Sequence, residues 1–426
     1  MPKAIVVSST HSGAGKTTVS LLLTSALKKR GYRVQPFKVG PDYIDPTHYQ
    51  FERKAVNLDP FMMGEEGVRR SFIHWMSLAD FGIVEGVMGL YDGYDMTSFS
   101  STAHVSKILN LPVILVVKPD GMSVSTLAIF RGFKSFEEVK IVGVIFNSVS
   151  SEFYCKLRRL FEGETEVLGY LPKIEEMRIE SRHLGLKLGT ECEFDWRKAA
   201  EIAENYIDVD RVIELSAEVE TEREEFEEEE RLTIGVAFDR AFAFYYEDNL
   251  RILRRFAKLT FFSPLNGELP ECDAYYFGGG YPELYKEIED FARIFRKNYR
   301  DQPVFGECGG LMFLSRGIET ENGRIKCASL LDIDIIFTRK LQALGYVRGD
   351  VIGDNPFFAG SFRGHEFHYS YARPDDDVRY AFRVDGKGIV NGFDGAISGN
   401  VLGSYAHIHF YSTKLKLAEF FEKGVD

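Results

Sequence analysis

Short apolar runs, separated by stretches of helical periodicity, organise the first half of the chain. Lys3–Ser9 is a continuous apolar run that ends in small polar residues, and it predicts a buried strand. Lys16–Arg30 repeats apolar residues at helical spacing, with Val19, Leu22, Leu23, Ala26 and Leu27 on one side. Val34–Val39, Phe81–Val87, Pro112–Val117 and Ile141–Asn147 are further runs, several of them divided by helical stretches. That alternation predicts a mostly parallel sheet covered on both faces. The pattern changes after about residue 213. Between Glu218 and Glu230 most positions are glutamate and few are apolar, as in a solvated linker. A new strand starts at Thr233, followed by an amphipathic helix near Tyr246–Phe256 and strands at Leu259–Phe262 and Ala274–Phe277. From about Arg324 to Phe410 the chain is rich in glycine, aromatic and β-branched residues, which predicts strands and loops added to the second sheet. The expected division is a first domain over 1–215, an acidic linker over 216–231 and a second domain over 232–426.

Bulk properties narrow the function classes. The chain has 426 residues, 45% hydrophobic and 27% charged, which suits two soluble globular domains. A net charge of −12 argues against broad nucleic-acid binding and against an anionic membrane surface. It leaves room for an anionic ligand in a local basic pocket. No apolar run reaches the length of a membrane span, and the N-terminus enters a strand at once, so no secretory signal is expected. Cys155, Cys192, Cys272, Cys308 and Cys327 show no metal-type spacing, and reduced thiols in a cytoplasm are expected.

Two segments carry chemistry. The first is Thr10-His-Ser-Gly13-Ala-Gly15-Lys16-Thr17-Thr18, between the first strand and the first helix. Glycines let backbone N–H groups close around phosphate oxygens, the helix dipole adds attraction, Lys16 neutralises charge and Thr17 can ligate Mg²⁺. Thr10 stands where the usual pattern begins with glycine. His11 stands where partitioning-type ATPases carry a second lysine, which counts against a regulatory ATPase. Lys38, Asp42, Tyr43 and Asp45 follow the second strand, at the sheet edge where open α/β folds bind ligands. Glu85 is a candidate Mg²⁺ carboxylate at the end of the next apolar run, Asp92 lies on the glycine-rich loop after it, and Asn147 ends a strand where adenine could be read.

The second segment is Val304–Leu314, where an apolar strand meets Gly306, Cys308, Gly309, Gly310 and a helix. Small neighbours allow the sharp strand-to-helix turn that presents a nucleophile, and the helix N-terminus is expected to favour the Cys308 thiolate. His407, in an apolar run near the C-terminus, is the candidate base, with His409 two residues on. Backbone amides of Gly279 and Gly280 are expected to join that of Gly309 in an oxyanion hole.

Taken together these residues resemble the cobyrinic acid a,c-diamide synthase family, including its nickel-sirohydrochlorin a,c-diamide synthase branch. The resemblance spans nearly the whole chain. It rests on the phosphate loop, Lys38–Asp45, Asn57–Met62, Glu85–Gly93, Ser181–Leu186, Phe277–Glu283, Phe305–Gly310 and Arg363–His368. It implies a P-loop, doubly wound, dethiobiotin-synthetase-like domain followed by a class I glutamine amidotransferase-like α/β domain. It implies that Cys308 and His407 release ammonia from L-glutamine. ATP·Mg²⁺, served by Lys16, Lys38, Thr17, Glu85 and Asp42, would phosphorylate a carboxylate of an anionic tetrapyrrole. Asp42, Tyr43, Asp45 and Asp92 would orient substrate or metal. Ammonia would then displace phosphate at the a and c acetates. A homodimer is implied by the same analogy. The usual third triad member is replaced by His409, which leaves Glu366 as a candidate to orient His407. Cobyric acid synthase and a regulatory ATPase are the remaining alternatives.

Overall fold

The computed structural model describes residues 1–49, 51–174, 181–182, 185–186, 194–222 and 232–422. Most of the acidic run, Cys192 and the centre of the Ser181–Leu186 motif lie outside the described residues. The chain forms two compact units, Met1–Glu224 and Glu225–Asp426.

The first unit is built on a sheet ordered Val56–Leu58, Val34–Val39, Phe81–Glu85, Lys3–Ser9, Val113–Val117, Ile141–Asn147, Glu166–Leu171, every neighbouring pair parallel. The strands read as continuous apolar runs because helices cover the sheet. Helix Lys16–Lys29 buries Val19, Leu22, Leu23, Ala26 and Leu27, the stripe its periodicity predicts. The Val56–Leu58 strand escapes the apolar pattern because Asn57 is polar. Its side-chain amide donates to the carbonyls of Gly40 and Asp42 and so ties that strand to the loop after Val39. Ala217–Glu218 returns antiparallel to Lys3–Ala4, so the first unit continues past residue 215.

The second unit has a ten-stranded sheet. Ala257–Phe262, Leu232–Ala237, Ala274–Phe277, Val304–Glu307 and Val401–Ser404 are parallel neighbours. An antiparallel extension follows through Phe393–Ser398, Arg379–Val384, Ala343–Val351, Ser361–His368 and His407–Ile408. One face carries a dense aromatic layer of Phe242, Phe277, Phe291, Phe295 and Phe313. The strand-rich region expected over 324–410 supplies this extension, but Gly323–Lys326, Ile333–Phe337 and Ser370–Pro374 join Gly317–Thr320 in a separate four-stranded sheet instead of the second sheet. In each unit the residues with chemistry gather where parallel strands end, the edge at which α/β sheets bind ligands.

Candidate active sites

In the first unit, the loop after Lys3–Ser9 bends through Gly13 and Gly15, both with left-handed backbone (φ 78 and 104). A Cβ on Gly15 would strike the Asn147 side chain, 2.9 Å from its Cγ. Asn147 donates to Ala14 O at 2.8 Å, so it braces the loop from the end of Ile141–Asn147, two strands away in the sheet. Lys16 is buried and donates to Ser9 Oγ at 3.1 Å. Burial, helped by the nearby Lys38 cation, lowers its pKa to about 8. Thr17 Oγ1 donates to Glu85 Oε1 at 2.6 Å, and Thr18 follows it on the first helical turn.

Glu85 is fully buried and holds three donors. Thr17 and Lys38 meet its Oε1, the latter at 2.9 Å, and Tyr49 Oη donates to its Oε2 at 2.6 Å. Lys38 also bonds Asp45 and the Gly86 carbonyl. Burial alone would lower the lysine pKa, but Glu85, Asp45 and Asp42 outweigh it and hold the ammonium well above its ordinary value. Asp45 is held below the usual carboxylate range, because Lys38 overcomes the burial that would raise it. The Asp42 carboxyl is enclosed although its residue keeps some surface. Burial, then the Asp45 charge, pushes it up to about 7, and it accepts N–H bonds from Ile44 (2.9 Å) and Asp45 (3.4 Å). Tyr43 is half-buried between them. Asp92 is exposed, and its carboxylate accepts the Gly89 N–H at 2.8 Å, near enough to Lys16 to raise that lysine's pKa. The oxygens of Thr17 and Glu85 fit a hard divalent cation. Among the described residues no cluster of three His, Cys, Asp or Glu stands ready as an all-protein metal cage. Mg²⁺, which keeps waters and takes phosphate oxygens, does not need one.

In the second unit the sharp turn at Cys308 is realised. The residue has φ 49 and ψ −97, a conformation L side chains rarely adopt, which a nucleophile held between strand and helix can impose. Its N–H donates to Ser404 O at 2.7 Å, and its Sγ lies 3.9 Å from Phe367 O. The small neighbours are required: a Cβ on Gly306 would lie 2.6 Å from the Gly310 carbonyl carbon. The expected thiolate is not found. Burial, then the charge of Glu283, pushes the Cys308 thiol up to about 12, although the Gly309 N–H pulls the other way. The following helix, Gly309–Leu314, has only six residues, too few for its dipole to overcome that desolvation.

Gly309, next to Cys308, packs on Gly280, and the neighbouring Gly279 packs on His407. A Cβ on Gly309 would lie 2.8 Å from Gly280 N, and one on Gly279 would press into the His407 ring, 3.3 Å from Nε2 and nearer still to Cε1. Gly279 itself cannot serve as an oxyanion donor, because its N–H already donates to Phe244 O at 3.2 Å. The amides of Gly280 and Gly309 are the pair left to face a reacting carbonyl. Burial, with His365 and His368 nearby, lowers His407 to about 3.

Glu366 does not orient His407. Its carboxylate accepts the N–H groups of Lys387 (3.0 Å) and Gly388 (2.9 Å). Strand alternation turns it away from His365, which is the register partner of His407. His409 packs between Tyr246 and Tyr411 and is not the third member either. His365 and Glu283 are the site residues that sequence reasoning passed over. Both lie inside stretches it had singled out, and strand alternation from His407 would have drawn attention to His365 once the pairing was known.

Residues 5–186 match the family model of the CobQ/CobB/MinD/ParA nucleotide binding domain, and residues 233–415 that of the CobB/CobQ-like glutamine amidotransferase domain. A cobyrinate a,c-diamide synthase of Caldanaerobacter subterraneus subsp. tengcongensis is 40% identical, over 99% of this chain and 98% of that protein. One from Methanocaldococcus jannaschii is 38% identical over 96% of each. Among solved structures, the MinD cell division protein of Aquifex aeolicus covers 52% of this chain and all of its own, with 15% identity and a TM-score of 0.33, too distant to bear an inference. With near-complete overlap to both relatives and a domain match on each side of the acidic segment, the chain belongs to the cobyrinate a,c-diamide synthase family.

Proposed function

We propose that this chain couples glutamine hydrolysis to ATP-dependent amidation of the a and c acetate side chains of cobyrinic acid. The observation that carries the reading is the pairing, on one chain, of a strained Cys308 set against Gly280, Gly309 and His407 with a phosphate loop set against Lys38 and Glu85.

Cys308 attacks the side-chain amide carbon of glutamine, and its proton passes to His407 as the C–S bond forms. The amides of Gly280 and Gly309 take the developing oxyanion. His407 then returns the proton to the leaving nitrogen, and water releases glutamate from the thioester. In the first unit a free carboxylate is a poor electrophile, so ATP converts it to an acyl phosphate with a good leaving group, which ammonia displaces. Lys16 and Lys38 stabilise the transferring phosphoryl group. Thr17 and Glu85 would hold Mg²⁺, which supplies charge neutralisation at the phosphates. Asn147 braces the loop, and Asp42, Tyr43, Asp45 and Asp92 orient the acceptor or the metal shell. The reading carries with it a cytoplasmic setting, where ATP and glutamine are supplied. Among the described residues no helix is long and apolar enough to cross a membrane.

Mass spectrometry of reactions with Mg·ATP and glutamine tests the proposal, with cobyrinic acid and nickel sirohydrochlorin offered separately. Two amidations on cobyrinic acid are expected. Amidation of nickel sirohydrochlorin alone would move the chain to the other branch of the family. Glutamine hydrolysis with neither acceptor consumed would overturn the acceptor assignment.

A further inference from the structure

Three acidic side chains lend negative charge to the Cys308 site: Glu283, Glu307 and Asp394. Two of them are fully provided for. Glu307 accepts from Tyr276 Oη at 2.6 Å and from the Ile408 N–H at 3.0 Å. Asp394 accepts from Ser404 Oγ and from the N–H groups of Gly395, Tyr405 and Ala406. Glu283 differs. Its residue is half-buried, yet its Oε2 is sealed from solvent and has no hydrogen-bond partner. Burial pushes its carboxyl up to about 8, as it does that of Glu307, but Glu283 has no side-chain donor or cation among the groups that act on it. The turn that carries it packs on the nucleophile's helix, since a Cβ on Gly309 would lie 3.1 Å from Pro282 Cδ.

A shielded carboxylate without a counter-charge is costly. The helix behind the nucleophile offers only Leu311, Met312, Phe313 and Leu314 beyond its glycines, so it supplies no cation. Glutamine does, because it carries an ammonium three carbon–carbon bonds from the amide carbon that Cys308 attacks.

We propose that Glu283 binds the α-ammonium group of glutamine and so restricts the second unit to the free amino acid. This rests on the reading of that unit as the glutamine-hydrolysing half. Glu283 is a specificity residue: it makes no bond to the reacting amide, and it selects which amides reach Cys308.

The test compares hydrolysis of glutamine with that of glutaramate, which is glutamine without its amino group, by the full-length enzyme and its Glu283→Gln variant. Charge-assisted hydrogen bonds of this kind are worth about 10- to 100-fold. The wild type is expected to favour glutamine in kcat/KM by about that factor. Glu283→Gln is expected to lose that preference, so that its kcat/KM on glutamine falls to near its own value on glutaramate. A wild type without preference overturns the proposal, and that measurement needs no variant to fold. Equal loss on both amides also overturns it, since that is the mark of a structural role. If the wild type hydrolyses neither amide, the amidotransferase reading itself falls, an outcome distinct from the other two.

Discussion

Replacing Gly279 with alanine isolates the packing of His407, the proposed base, against the glycine loop. The backbone there is outside the left-handed region, so alanine is conformationally permitted, and the whole effect comes from one added methyl group. That Cβ would lie 3.2 Å from Phe244 Cβ and 3.3 Å from His407 Nε2, and it would approach His407 Cε1 more closely than the 3.0 Å that real Cβ atoms keep. The loop cannot slide away without breaking the reciprocal bonds between Gly279 and Phe244, at 3.2 and 3.0 Å. The ring must therefore retreat by roughly 0.5–1 Å, and misplacement of that order at a catalytic group costs about 100-fold. That factor corresponds to about 2.7 kcal/mol of barrier. Overpacking would also lower stability by about 1–3 kcal/mol. Three rates on one preparation check it: glutamine hydrolysis, glutamine-dependent amidation and amidation with high ammonium. The first two are expected to fall together by about 100-fold and the third to stay at the wild-type rate. A folded variant with undiminished glutamine hydrolysis would refute the argument, because it would mean that His407 does not rest on Gly279 in the working enzyme.

Two further outcomes follow from the charged groups. Lys38→Met leaves the buried carboxylates of Asp45 and Glu85 without their shared cation, so the first unit should lose about 3–5 kcal/mol of stability. Amidation should disappear with either nitrogen source while glutamine hydrolysis persists, and denaturant unfolding together with the two assays would show any departure. The pH profile is the second. With Cys308 at about 12 and His407 at about 3, both groups are neutral over the working range. Imidazolium forms only below the lower value and free thiolate only above the upper one. On Glu283→Gln with glutaramate, where neither that carboxyl nor a substrate ammonium titrates, kcat/KM should show no imidazole limb on the acid side, and a change near pH 8 would belong to Glu307, which burial pushes up to about 8. An acid limb centred between about pH 6 and pH 7 would show an imidazole with an ordinary pKa. With glutamine the wild type should rise through about pH 8, because Glu283 must lose its proton before it can pair with an ammonium.

Much of this was legible because it is local. The phosphate loop needs Gly13, Gly15, Lys16 and Thr17 in one short segment, and the sharp strand-to-helix turn needs Gly306, Cys308, Gly309 and Gly310 in another. The parallel strands announce themselves as apolar runs because both of their faces are covered. What could not be read depends on partners distant in sequence. Gly279 is excluded as an oxyanion donor by Phe244, which lies across a bridge. Glu366 and His365 are neighbours in sequence, and only the pairing of Gly364–His365 with His407–Ile408 tells which of them faces His407. The thiolate expectation failed for another reason. It counted the dipole of a helix and left out the desolvation of a buried side chain, together with the carboxylate of Glu283.

The return of Ala217–Glu218 to Lys3–Ala4 bears on how the first unit comes into being as the chain is synthesised. Its first strand is the central one, and that strand needs partners from Phe81–Glu85, Val113–Val117 and finally Ala217–Glu218. Each must arrive before the central strand is flanked along its length, so the order of synthesis and the order of pairing run far apart. The nascent sheet therefore keeps an open strand edge until roughly half the chain has emerged. A fragment that stops at residue 215 would keep that edge permanently, whereas one carried through Val219, whose N–H meets Pro2 O at 2.8 Å, brings the two ends of the unit together.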